Sequence, residues 1–491
     1  MKRIFAIALL FLPLLVKSQN HNFEQYFEDQ TLRIDYYHTG DATSEIFTLD
    51  KLFRQGTWAG NPDNCIQPFE LGLYKVNVYD SATNCLIFSK GYNSIFAEYQ
   101  TIDPAIKGVK RTYHESVLIP CPKQPFTLVI EKRDRYNKLA EVYTQNIDPL
   151  DYHIITETIT RLNDVIIPVV VNGSPHNSVD LVILAEGYRT DELDTFKSDL
   201  KYYTDLFFTV EPYNSNAKSF NIYGVFSPSE ENGTDEPRQG IYKNTRLNSS
   251  FNIFDLDRYC LAEDNISIRN VSASVPYDAI LIMVNRNRYG GGGIYNWQTV
   301  FTSVSPWRDY VFLHEFGHAF AGLADEYFSS PVAYVDFYTP GVEPLEANIT
   351  ALLDTANVKW EQYLSPGIKV PTEWGKATFD NLEIRRDTLY AEWEKVIERM
   401  KNSGAPDGEI EKTNNQYRTR IKKISTELDD FFKNHPLKDK VGVFEGANYM
   451  SKGMYRPTIM SLMHGFEEGK LSYDLVNEQA ILTTIHYYTG E

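Results

Sequence analysis

The chain has 491 residues, of which 42% are hydrophobic, 14% aromatic and 23% charged, a balance that excludes a disordered, collagenous or polytopic membrane protein. Its 66 Asp and Glu outnumber 48 Lys and Arg, giving a formal charge of −18 and a pI near 5.1. That field repels nucleic acid and anionic lipid, so neither is expected as a partner. The length suits two or three domains.

Residues 1–18 read as a cleavable leader: Lys2 and Arg3, an apolar run from Ile4 to Val16, and Ser18 at the cleavage point. The run is shorter than the roughly 20 residues a membrane-spanning helix needs, and no other segment approaches that length. A secreted or periplasmic protein without a membrane span is expected. Loss of Lys2, Arg3 and Lys17 takes the charge from −18 to −21.

Residues 19–150 alternate in short apolar runs such as LGLYKVNVY from Leu71 and FTLVIEKRD from Phe126, which predicts an antiparallel β-sandwich. No acid, base and nucleophile come together in it, so it reads as an accessory or packing domain. Residues 151–178 read as a linker with first strands, and 179–491 as the catalytic domain. There, VDLVILAEGY from Val179, FNIYGVF from Phe220 and AILIMVN from Ala279 predict buried strands of an α/β layer. Thr190 and Asp191 are expected to cap a helix running to about Phe208. Residues 378–435 repeat apolar positions at helical spacing around a break at 402–408, predicting an inserted helical hairpin whose charges form a solvated face. The four cysteines lack CxxC spacing, leaving either one disulfide in the first domain or four buried thiols.

The chemistry concentrates in VFLHEFGHAFAGLADEY, Val311 to Tyr327. Four apart on a helix, His314 and His318 project from one face and can meet one Zn²⁺. Glu315, beside them, is placed as the base on a water whose pKa the metal lowers. With 10 histidines in 491 residues, an H-E-x-x-H arises by chance about 0.01 times per such chain. Gly322 lets the chain turn back, bringing Asp325 or Glu326 to the metal. The shorter Asp325 is favoured as third ligand, and the other carboxylate is then expected to accept a histidine N–H.

This signature resembles that of the M64 family, the immunoglobulin A peptidase family of bacterial zinc metallo-endopeptidases. Further similar stretches are LVILAEGY, FNIYGVFSPSEENGTDEP, NITALLDTANVKWEQYL and VGVFEGANYMSKGMYRPTIMSLMHG. The resemblance implies a metzincin-like peptidase domain within an α+β or α/β chain, with His314 and His318 on the metal and Glu315 in catalysis. It also implies that Met463 in SLMHG forms the apolar floor of a Met-turn, with Met460 as the alternative. Relative to the metzincin spacing, Gly322 and Asp325 are each displaced by one residue. A protein or peptide substrate follows.

Other features leave alternatives open. Gly290 to Gly293 either let an extended segment line the cleft and pair with substrate backbone, or form a surface loop. His464 is an oxyanion group or a structural histidine, and Glu230, Glu231, Asp235 and Glu236 form a calcium cluster or a solvated loop. Two further activities compete: a surface or periplasmic binding protein with an inactive peptidase-like domain, and a zinc amidase acting on peptidoglycan or glycoprotein.

Overall fold

A computed structural model describes residues 23–156, 163–328, 338–465 and 471–491. The expected leader lies outside them. Among the described residues the fold is mixed α+β with several antiparallel sheets and no closed barrel, and no helix is long and apolar enough to cross a membrane.

The first region holds two antiparallel sheets. Phe27–Gly40 is flanked by Glu45–Arg54 and Arg111–Pro122, while Tyr74–Asp80 pairs with Leu86–Tyr92 and with Phe126–Arg133, whose other neighbour is Leu139–Ile147. Period-two alternation turns Leu32, Ile34, Val76, Val78, Leu128 and Ile130 into one core between the sheets. All four cysteines are free thiols, so the disulfide alternative falls.

Behind it lies a six-stranded sheet in the order Gly291–Ile294, Gln298–Thr302, Ala279–Val284, Val179–Glu186, Phe220–Phe226, Val165–Val170. The four inner strands run parallel and the two edge strands antiparallel. Val179–Glu186 is buried along its whole length because both faces are covered. Leu181 and Ile183 meet the helices Leu193–Phe207, Arg308–Ala321 and Leu475–Thr489. Val182 and Leu184 meet Ile268 and Val271 together with Ile95, Phe96 and Tyr99 of the first region. The N-terminal region therefore closes the back of the sheet by apolar contact.

The expected helix cap needs correction. The helix after Val179–Glu186 begins at Leu193, behind a 3₁₀ turn at Thr190–Glu192, and neither Thr190 nor Asp191 caps it. Instead the Glu192 carboxylate accepts the Arg189 N–H at 2.8 Å. The hairpin, Lys376–Asn402 and Asp407–Lys433, is present with most of its charges exposed, and its apolar face is packed. Phe379, Leu428 and Phe432 bury one end against Trp374, Phe444 and Ile459.

Candidate metal centre

The helix Arg308–Ala321 is held by Phe312, Leu313, Phe316 and Phe320 in the core beneath the sheet. Gly322 ends it in the left-handed region, φ 61°, where a side chain would be strained. Its N–H returns to His318 O at 3.1 Å, and the Leu323 N–H to Gly317 O at 3.3 Å, a Schellman-type stop that reverses the chain. Asn348 then clamps the returning segment, donating to Ala324 O and accepting from Ala324 N–H, both at 2.9 Å.

The reversal brings three side chains together. His314 Nε2 lies 3.0 Å and His318 Nε2 3.2 Å from Asp325 Oδ1, with the two nitrogens 3.1 Å apart. The other ring nitrogens face main-chain carbonyls: His314 Nδ1 donates to Leu462 O at 3.0 Å, and His318 Nδ1 to Leu323 O at 2.6 Å. A carbonyl only accepts, so each Nδ1 carries a proton and each Nε2 is the atom left to offer a lone pair to a cation. The two Nε2 atoms and a carboxylate oxygen thus converge, and no donor is aligned on the buried Asp325 Oδ1. Burial opposes a charged His318, yet Asp325 pushes its imidazole up to about 9, so a proton holds the place a metal cation would take. For bonds of 2.0–2.1 Å a tetrahedral ion has ligand edges of about 3.3 Å, so the residues fit one. Among the described residues this is the one such cluster.

Asp325 and Glu326 separate cleanly. Glu326 points away, accepting from Ser461 Oγ at 2.6 Å and from Asn348 and Asn477 Nδ2 at 3.0 Å each. It accepts no histidine N–H, contrary to expectation, because main-chain carbonyls fill that role. Burial and the neighbouring Asp474 push its carboxyl well up. Burial opposes the ionised Asp325, yet the adjacent imidazoles hold it well below the usual carboxylate range.

Tyr449 donates its hydroxyl to Asp325 Oδ2 and lies 3.1 Å from Tyr327 Oη. The Tyr327 ring in turn lies parallel to His314. Tyr449 occupies the two-residue tip, Asn448–Tyr449, of the hairpin Phe444–Ala447 and Met450–Arg456, with φ of 44° and 62°. Asparagine suits that geometry and tyrosine does not, at a cost of about 1–2 kcal/mol. The strain is held by main-chain bonds from Asn448 N to Asp325 O and from Tyr449 N to Tyr327 O. Tyr449, Tyr327 and Asn348 escape sequence reasoning; a tyrosine in an Asn-X hairpin position is the only local signal.

Glu315 stands on the same helix within electrostatic reach of both imidazoles, Asp325 and Arg258. Burial pushes its carboxyl up and the imidazoles pull it down. The glycines form no surface loop. Gly291–Ile294 is the edge strand directly against this helix, and a Cβ on Gly293 would meet Glu315 O at 2.2 Å. Strand addition at Gly291 is already pre-empted, since its N–H and C=O bond Arg258 O and Cys260 N.

Met463 is fully buried with Sδ beneath Gly317, and its carbonyl accepts the Glu326 N–H at 2.9 Å. Met460 instead packs against the hairpin core. His464 sits beside Phe432, held neutral by burial and then by Arg456. The acidic cluster is no open loop: Glu236 is 1% exposed and pairs with Arg286 and Arg288.

A cleft of about 610 Å³ opens beside the triad. Tyr310, Tyr327, His464 and Trp307 form one side, and Phe379, Leu428 and Phe432 of the helical hairpin the other.

A family model described as IgA Peptidase M64 matches residues 167–485, and one described as Peptidase M64 N-terminus matches residues 22–144. No curated protein matches the chain.

Proposed function

The chain belongs to the IgA peptidase M64 family, and on that premise we propose that it is a secreted or periplasmic zinc endopeptidase. Its catalytic domain, residues 179–491, is metzincin-like, with the β-sandwich of 19–150 braced behind it and the leader 1–18 removed on export. The observation that carries this reading is the convergence of the two histidine Nε2 atoms and Asp325 Oδ1 within 3.2 Å of one another.

His314, His318 and Asp325 would hold the ion. Zinc, when bound, supplies Lewis acidity toward the scissile carbonyl and acidifies water. Leu462 O and Leu323 O fix the tautomer and tilt of the two rings, and Tyr449 fixes the carboxylate. Glu315 takes a proton from the attacking water and delivers it to the leaving amine. Its burial favours the protonated carboxyl and so suits the second half of that transfer. Met463 supplies an apolar floor that keeps the helix and the Ser461–His464 turn in register. The cleft between Tyr310 and Phe432 receives an extended stretch of protein or peptide.

Glu315→Gln tests the assignment. Hydrolysis should fall by about 10²- to 10⁴-fold while zinc content stays at the wild-type level. Wild-type rates from that variant would remove Glu315 from the mechanism.

A further inference from the structure

A second cavity, of about 210 Å³, lies outside the metal triad, between the N-terminal sheets and the back of the six-stranded sheet. Its walls mix polar and aromatic side chains, with Tyr36, Trp58, Phe88, Tyr92 and Trp297 among the aromatic ones. Two cations line this space, Arg269 from the helix Asn265–Ser272 and Lys90 from the strand Leu86–Tyr92.

Arg269 is 3% exposed, yet its guanidinium has no hydrogen bond or ion pair with any described residue. A buried charge left unpaired costs several kcal/mol, so buried arginines are almost always matched. Lys90 donates to the neutral Tyr488 hydroxyl at 3.1 Å and makes no hydrogen bond to a carboxylate, with Asp278 the acidic group within its electrostatic reach.

The acidic groups of the cavity are already engaged. Glu115 accepts from His38 Nδ1 at 2.9 Å and from Phe96 N at 3.2 Å, and Asp278 accepts the Asp180 N–H at 2.9 Å. The buried polar atoms of lining residues that lack partners are Arg269 Nε, Trp297 Nε1 and Tyr277 Oη, none of them a carboxylate. Donors are in surplus, and the complement is an acceptor carrying negative charge.

We propose that this cavity is a binding site for a small organic carboxylate, its anionic end on Arg269 and Lys90 and its apolar body against the aromatic walls. The space exceeds a bare inorganic ion, which would leave the ring surfaces unfilled. Occupancy would tie the N-terminal region to the peptidase region, because both contribute walls.

Calorimetry on the full chain with phenylacetate, acetate, inorganic phosphate and the neutral phenylacetamide tests this. Phenylacetate should bind, and should bind more tightly than the other three. Arg269→Gln should weaken it by about 10- to 100-fold, and Lys90→Gln, the independent variant should Arg269→Gln misfold, should weaken it as well. Binding of phenylacetamide as tight as phenylacetate would reduce the site to an apolar hole. Preference for phosphate, no binding of any probe, or wild-type affinity in Arg269→Gln would each overturn the proposal.

Discussion

Tyr449 lies 124 residues from Asp325 in sequence, yet its hydroxyl donates to the carboxylate oxygen that the imidazoles do not face. A partner of that kind fixes a ligand's orientation, and its loss typically costs 10- to 100-fold in metal affinity or activity. Tyr449→Phe should therefore weaken zinc by about that factor in chelator competition, with little change in thermal stability of the metal-free chain. Unaltered zinc affinity would reduce the contact to packing. At this scale the two histidines and Glu315 were legible because they share one helix face. Asp325 is favoured over Glu326 in the sequence by its shorter side chain, while the path of the returning chain, held by Asn348 and the Met463 carbonyl, is visible only in the structure. Only its place after Asn448 at a hairpin tip announces Tyr449.

A second prediction concerns two buried carboxyls. Asp180 is pushed up to about 8 by burial and then by Asp278, and Asp278 to about 7 by burial. Both lie above the ordinary value, so the folded chain holds protons that the unfolded chain releases. Their contribution to stability is fully present below about pH 4 and is lost as pH rises through 7 to 8. Asp180→Asn removes one titration. Between pH 5 and pH 8 its unfolding midpoint should gain about 2 °C or more on wild type; a constant difference across that range would contradict the assignment.

Elements differ in how plainly they show themselves. The hairpin Lys376–Asn402 and Asp407–Lys433 was readable from its period and its Asn-Ser-Gly-Ala-Pro break, but its place in the cleft wall was not, since Phe379 and Phe432 look like any helix-face aromatics. The glycine run was readable as an extended segment only. Its reason is that Gly293 lets the edge strand touch the main chain of the helix bearing the triad. Gly293→Ala would place a Cβ against Glu315 O, and backbone cannot give way as a flexible side chain does. A loss of about 1–3 kcal/mol in stability is expected, together with lower activity as the helix shifts. Full activity at wild-type stability would show that strand and helix can part freely. Helix caps were the poorest guide, because the 3₁₀ turn at Thr190–Glu192 lets Glu192 reach back in a way no single cap residue signals.

Across the whole molecule, the order of a β-rich region, an α/β layer and a helical insertion followed from changes in hydrophobic period. The manner of their joining did not. Ile95, Phe96 and Tyr99 occupy a short helix between strands and pack across onto Val182 and Leu184, so a region that reads as separable shares a core with the sheet. The acidic surplus remains a general property of the surface, while the buried chemistry is set by a few matched and unmatched charges. At the centre stands the claim that His314, His318 and Asp325 hold the ion on which hydrolysis depends. It is tested by stripping the full chain with a chelator, returning Zn²⁺ in measured steps and following hydrolysis of an unfolded protein substrate at each step. Activity should rise in proportion to zinc and level off at one ion per chain, and Asp325→Ala should stay inactive over the same steps. Hydrolysis that persists in the stripped chain, or full activity in Asp325→Ala, would contradict it.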